Sequence, residues 1–182
     1  MKLSACAAAA CCLIFATVLR AIAADTQTEL PNAHPAALAG TWRLASTRQH
    51  MTDGSVRPDP DLGARPSGLL MFDDRAKQMC TMIDNGDRPG WRDPAHPTDA
   101  EVRAIWDQTV AYCATWSIDA SRGELVYRLE TNHSPNLIGK ERRRRFTLDG
   151  DRLILHPTPL PAGVVDWEVE WRRMPEKGTR RN

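Results

Sequence analysis

Cys113 and His133 are the first pair to weigh, because a thiol beside an imidazole can act as a nucleophile when hydrogen-bond reach and a lowered thiol pKa coincide. A buried thiol, or a bridge to Cys80, explains Cys113 with fewer requirements. Tyr112, His133 or an inward arginine could serve as acid or base towards a bound molecule. The run Arg142 to Arg145 could grip an anion. On a strand, however, alternate side chains face opposite ways, so only two of the four share a face. In one reading these are solvated outer arginines that pair with Glu168 and Glu170; in the other, one inward arginine, Arg144, holds a ligand carboxylate through paired N–H donors. His133 and Asn136 sit in the polar stretch His133-Ser134-Pro135-Asn136, which is either a plain turn or a set of ligand contacts at a cavity mouth. The five histidines lack the short spacings of zinc ligands, and no Gly-x-Ser-x-Gly elbow or phosphate loop occurs. Neither a metal nor a cofactor is expected.

Which of these groups can meet depends on the elements that carry them. Eight short runs show β-branched, aromatic or alternating apolar positions separated by turn dipeptides: 41–51, 68–73, 77–84, 112–119, 124–132, 141–148, 152–156 and 164–173. Asp53-Gly54, Asn85-Gly86, Arg122-Gly123 and Asp149-Gly150 punctuate them. One segment has helical spacing instead, with Val102, Ile105, Trp106, Thr109 and Val110 on one face. Thr98 to Glu101 supplies a capping box, which predicts a helix over about 99–111. The loop before it, 87–97, carries Trp91 among prolines and a glycine and reads as a flap.

Eight antiparallel strands in a meander predict an all-β fold, a single eight-stranded up-and-down barrel, since closure removes exposed edges. A sandwich of two four-stranded sheets is the structural alternative. A barrel of eight strands either fills with side chains or encloses one small ligand. Burying an unpaired charge is costly, so Leu125, Tyr127 and Leu129 are expected inward in place of Arg128 and Glu130. On the same basis Met71, Met79 or Cys80, Tyr112, Trp116, Leu129 and Leu155 are expected near a pocket, although such residues are also ordinary core.

The N-terminus points to export. Lys2, an alanine-rich apolar run to Leu19 and Ala21-Ile22-Ala23 read as a signal peptide cut after residue 23, too short in its apolar part to span a bilayer. Removing 23 residues from 182 leaves 159, which is one domain's worth. Residues 24–37 read as a flexible leader, 38–174 as the barrel and 175–182 as a disordered tail. Loss of Lys2 and Arg20 takes the net charge from +1 to −1, against a nucleic-acid partner, and no membrane segment is expected after cleavage. The mature chain keeps Cys80 and Cys113, which an oxidising periplasmic or extracellular setting could bridge if their Cα atoms lie within about 7 Å. Two free buried thiols are the alternative.

The opening Gly40-Thr41-Trp42-Arg43-Leu44, Trp171-Arg172 near the end and the eight runs between them resemble the lipocalin pattern. The order of segments, through 53–73, 112–119, 134–139, 144–155 and 167–173, is similar to the bacterial and fungal lipocalin-like domain family over about residues 38–174. The arginine run and the cysteine pair depart from that family. The resemblance implies that Trp42 plugs the closed end with a late arginine across it, assigned here to Arg172, with Arg173 one register step away as the competitor. It implies a binder of a small apolar or amphipathic molecule, or alternatively a barrel-housed isomerase or cyclase. A filled, purely structural or partner-binding barrel is a third reading.

Overall fold

The computed structural model describes residues 34–175. The expected signal peptide, the first part of the leader and most of the tail lie outside the described residues. Nine strands form one antiparallel sheet: β1 (Gly40–Met51), β2 (Val56–Arg57), β3 (Ser67–Asp73), β4 (Gln78–Asp84), β5 (Thr109–Asp119), β6 (Glu124–Asn132), β7 (Glu141–Asp149), β8 (Arg152–His156) and β9 (Val164–Arg173). Consecutive strands pair from β3 to β9, and β1 pairs with both β3 and β9. That last pairing, with Leu44 opposite Trp171, closes eight strands into a barrel and removes the sandwich alternative. The two-residue β2 only extends the rim beside His50.

Alternation fixes the two walls. Trp42 and Leu44 on β1, Leu70 and Phe72 on β3, Met79, Thr81 and Ile83 on β4, and Ala114 and Trp116 on β5 are buried. So are Leu125, Tyr127 and Leu129 on β6, as expected, while Arg128 and Glu130 are exposed. A bulge between Leu44 and Ser46 resets β1, which lets Thr47 and Gln49 continue the inward face. Without that extra residue every later side chain on β1 would change wall.

Three boundaries differ from the sequence reading. The helix α2 runs Asp99–Asp107, capped as expected by Thr98 and Glu101, and ends before Thr109 and Val110. Those two begin β5, because register with Asp84 and Ile83 of β4 outweighs local helical spacing. α2 buries no residue fully; it rests on the outside of the barrel, where Trp106 meets the His133 ring edge-on at 5.0 Å. Ahead of residue 38, part of the stretch read as leader forms a helical turn, α1 (Pro35–Leu38), which belongs to the barrel floor.

That floor is the closed end. Trp42 is fully buried, and its Nε1 donates to Leu38 O at 2.9 Å. The guanidinium above its ring, at 4.0 Å, is that of Arg173, not Arg172. Arg173 shares parity with Trp171 and faces in, whereas Arg172 faces out and pairs with Glu170 at 2.8 Å. Arg173 also donates to Ala39 O and Ala37 O, both at 2.6 Å, and so ties α1 to the last strand.

Over the opposite end lies the segment 58–66, with Leu62 inserted into the core. A tight turn holds it: buried Asp59 accepts from the N–H groups of Asp61 and Leu62 at 2.9 and 3.2 Å. Burial pushes the Asp59 carboxyl above its usual range, against these donors. Gly86 lets the next loop approach, since a Cβ there would stand 2.1 Å from Arg65 O.

Candidate functional site

A cavity of about 70 Å³ lies inside the barrel, beneath Leu62 and Pro157 at the covered end. Leu70, Ile83, Val110, Leu155 and Val169 supply apolar wall; Tyr112, Arg144, Trp167 and Trp171 supply the polar and aromatic part. Each comes from an inward position of its strand. On β7 the burial alternates, so Arg142, Arg144, Phe146 and Leu148 share the inner face, with Arg144 in mid-strand. This is the arginine the sequence reading turned inward.

Arg144 lies over the Tyr127 ring, 5.6 Å from its centroid, a cation–π contact. Its Nε is buried without a hydrogen-bond partner, as are Nε1 of Trp167 and Nε1 of Trp171. Tyr112 stacks on Tyr127 with ring centroids 5.7 Å apart, and its hydroxyl donates a long bond of 3.5 Å to the Tyr127 oxygen. Burial pushes the Tyr127 phenol far above its ordinary range, so that ring stays neutral.

The other expected ligand residues fall elsewhere. Met79, Trp116 and Leu129 face in, but they are packed in the filled lower barrel and not on the cavity wall. Trp116 is pinned there by Nε1 bonds to Gln78 O and Asp73 O and by an edge contact to Phe72. Met71 is a correction: it points outward and is 47% exposed, because Leu70 and Phe72 hold the inward positions of β3. Asn136 is exposed in a 3₁₀ turn, Pro135–Leu137, away from the cavity wall. His133 is outside too, beside Trp106, with Nδ1 3.3 Å from Ala111 O.

Cys80 and Cys113 face each other across β4 and β5, with Cα atoms 4.1 Å apart, and form a disulfide. The thiol–imidazole pair is therefore excluded, since Cys113 has no free thiol. Met71, the disulfide and His133 do come together, on the barrel's outer wall, around an open apolar groove of about 590 Å³. The flap's Trp91 lines a second outer hollow, of about 420 Å³, against Ile105 of α2.

The outward arginines of β7 find other carboxylates than Glu168 and Glu170. Arg143 pairs with Asp119, Glu124 and Glu141 at 3.0–3.4 Å, and Arg145 reaches Asp166 at 3.7 Å. Glu170 instead takes Arg48, Arg152 and Arg172, and Arg152 beside it holds its carboxyl below the usual range. Next to them His50, Asp166 and Glu168 bring one donor atom each within 4.8 Å of one another. Arg48 already holds Glu168 at 3.0 Å and His156 holds Asp166 at 3.0 Å, so the cluster is part of an ion-pair ladder.

A closed eight-stranded barrel, a plugged floor with an arginine across its tryptophan, and a covered end above an internal cavity are the frame on which the comparison rests. The family description "lipocalin-like domain" matches residues 39–174. The chain belongs to the lipocalin-like domain family. No curated protein matches it. Of the residues the sequence placed near a pocket, Tyr112 and Leu155 line the cavity of this lipocalin-like domain, as does Arg144 in the inward of its two readings; Trp167 and Trp171 were missed. Alternation along 164–173 already set those two on one face; choosing that face needed the pairing with β1.

Proposed function

We propose that this lipocalin-like protein is an exported carrier that holds one small amphipathic molecule inside its barrel. The observation that carries the reading is the internal cavity, apolar on most sides, roofed by Leu62 and furnished with a guanidinium whose Nε is buried. At about 70 Å³ it is well below the roughly 300–1,000 Å³ of pockets for drug-sized ligands. The ligand is accordingly a molecule of a few heavy atoms. Aromatic side chains take the space that a larger-ligand barrel would leave open.

Export rests on the signal-like residues 1–23, and the Cys80–Cys113 bond supports it, because disulfides persist in oxidising compartments. The isomerase or cyclase alternative is weaker: of its proposed acid–base groups Tyr112 and Arg144 reach the cavity, whereas His133 stands outside the wall. The test is native mass spectrometry of protein purified from its source, followed by solvent extraction of what it carries. Export and carriage predict a chain starting at Ala24 with a small additional mass that extraction removes. An apo mass alone, with no small molecule recovered, contradicts carriage; a chain retaining residues 1–23 contradicts export.

A further inference from the structure

The polar atoms of the cavity wall that lack a partner are Arg144 Nε, Trp167 Nε1 and Trp171 Nε1. All three donate hydrogen bonds and none can accept one. Trp171 is 2% exposed, so its N–H has no access to bulk water. Arg143 and Arg145, on either side along β7, have carboxylates to pair with. Arg144 has the face of Tyr127, and no ion pair among the described residues. A cation whose Nε is buried without a partner, on a cavity wall that carries two further unused donors, is unfavourable as it stands and becomes favourable when an anion completes it.

The rest of the wall says which kind of anion. Leu70, Ile83, Leu155 and Val169 offer nothing to an inorganic oxyanion, whose every oxygen seeks a donor, but they suit a hydrocarbon tail. The volume admits only a short one.

We propose that the cavity binds a short-chain organic carboxylate, its oxygens accepting from Arg144 and the two indole N–H groups and its alkyl part lying against Leu70, Ile83 and Leu155. This rests on the interior-binding reading above and names the ligand class for it. Arg144 sets the charge preference, and the tryptophans orient the carboxylate.

Calorimetric titration of the purified chain with butyrate, 1-butanol and nitrate tests it. Butyrate is expected to bind at least tenfold more tightly than either of the other two. Arg144→Gln is expected to weaken butyrate at least tenfold while leaving 1-butanol unchanged, and Arg144→Lys to recover part of the loss. Trp171→Phe keeps one aromatic ring and removes the N–H with the rest of the indole; it is expected to lower the thermal midpoint and to weaken butyrate severalfold, more than it weakens 1-butanol, and stands as the deciding variant if Arg144→Gln does not fold. Equal affinity for butyrate and 1-butanol, or butyrate binding unchanged in these variants, overturns the carboxylate assignment and leaves interior binding intact. Nitrate binding as tightly as butyrate overturns the organic tail. No heat from any of the three probes overturns the carboxylate assignment, while the interior-binding reading stands or falls on the extraction test above.

Discussion

Arg172 and Arg173 are adjacent, identical in type and opposite in consequence. Arg173 faces the interior, covers Trp42 at 4.0 Å and donates to two backbone carbonyls that have no strand partner there. Arg172 faces solvent and makes one pair, with Glu170, whose carboxylate Arg48 and Arg152 also hold. Arg173→Ala removes the cation–π contact and leaves two part-buried carbonyls short of a donor, and is expected to cost about 2 kcal/mol. Arg172→Ala is expected to cost below about 1 kcal/mol. Urea denaturation of the two variants checks this, and similar midpoints for both would contradict the assignment of the floor to Arg173. The same parity explains Met71 and Cys80: both are apolar, both lie opposite one another in register, and both are on the outer wall because their neighbours won the inner one.

At the scale of elements, α2 is the least anchored. It buries no residue fully, so its formation depends on its cap more than on packing. Glu101 accepts from the N–H of Thr98 at 2.8 Å and its hydroxyl at 2.7 Å, and from the N–H of Arg92 at 3.1 Å. The backbone bond from Thr98 is the largest cause that brings this carboxyl down to about 2. Because the folded value lies below the ordinary 4.5, the ionised cap supports the helix fully above pH 4.5, and the support is lost as pH falls through that value towards about 2. Chemical shifts of residues 99–107 are expected to lose helical character over that interval while β5 keeps its own. Thr98→Ala should show the loss already at neutral pH, at about 1 kcal/mol. A helix insensitive to both would contradict the dependence on the cap.

For the whole molecule, closure joins β1 to β9, strands at opposite ends of the described chain, so this one pairing closes a long loop while the strands from β3 to β9 pair with their neighbours in sequence. The Cys80–Cys113 bond shortens that search by fixing a loop with a sequence separation of 33, worth about 3–4 kcal/mol by chain entropy. The double variant Cys80→Ala/Cys113→Ala is expected to lose stability of that order in urea. Since both sulfurs sit on the outer wall, its affinity for butyrate should match that of the parent. A loss of ligand affinity without a change of stability would show that the pair acts on the cavity after all.

The sequence by itself determined the strand set, most strand ends, the cap of α2 and the family, because period-two alternation and turn residues are local properties of the chain; it favoured the inward face of β6 on the cost of buried charge without fixing it. It also offered the inward guanidinium of Arg144, from spacing alone. It did not determine where Thr109 and Val110 belong, which of Arg172 and Arg173 crosses Trp42, on which wall Met71 lies, or that Trp167 and Trp171 leave their N–H groups unpaired beside the cavity. Each of these is decided by register with a strand distant in sequence. A one-residue slip exchanges the two walls, and only the closing of β1 on β9 says which wall is inside.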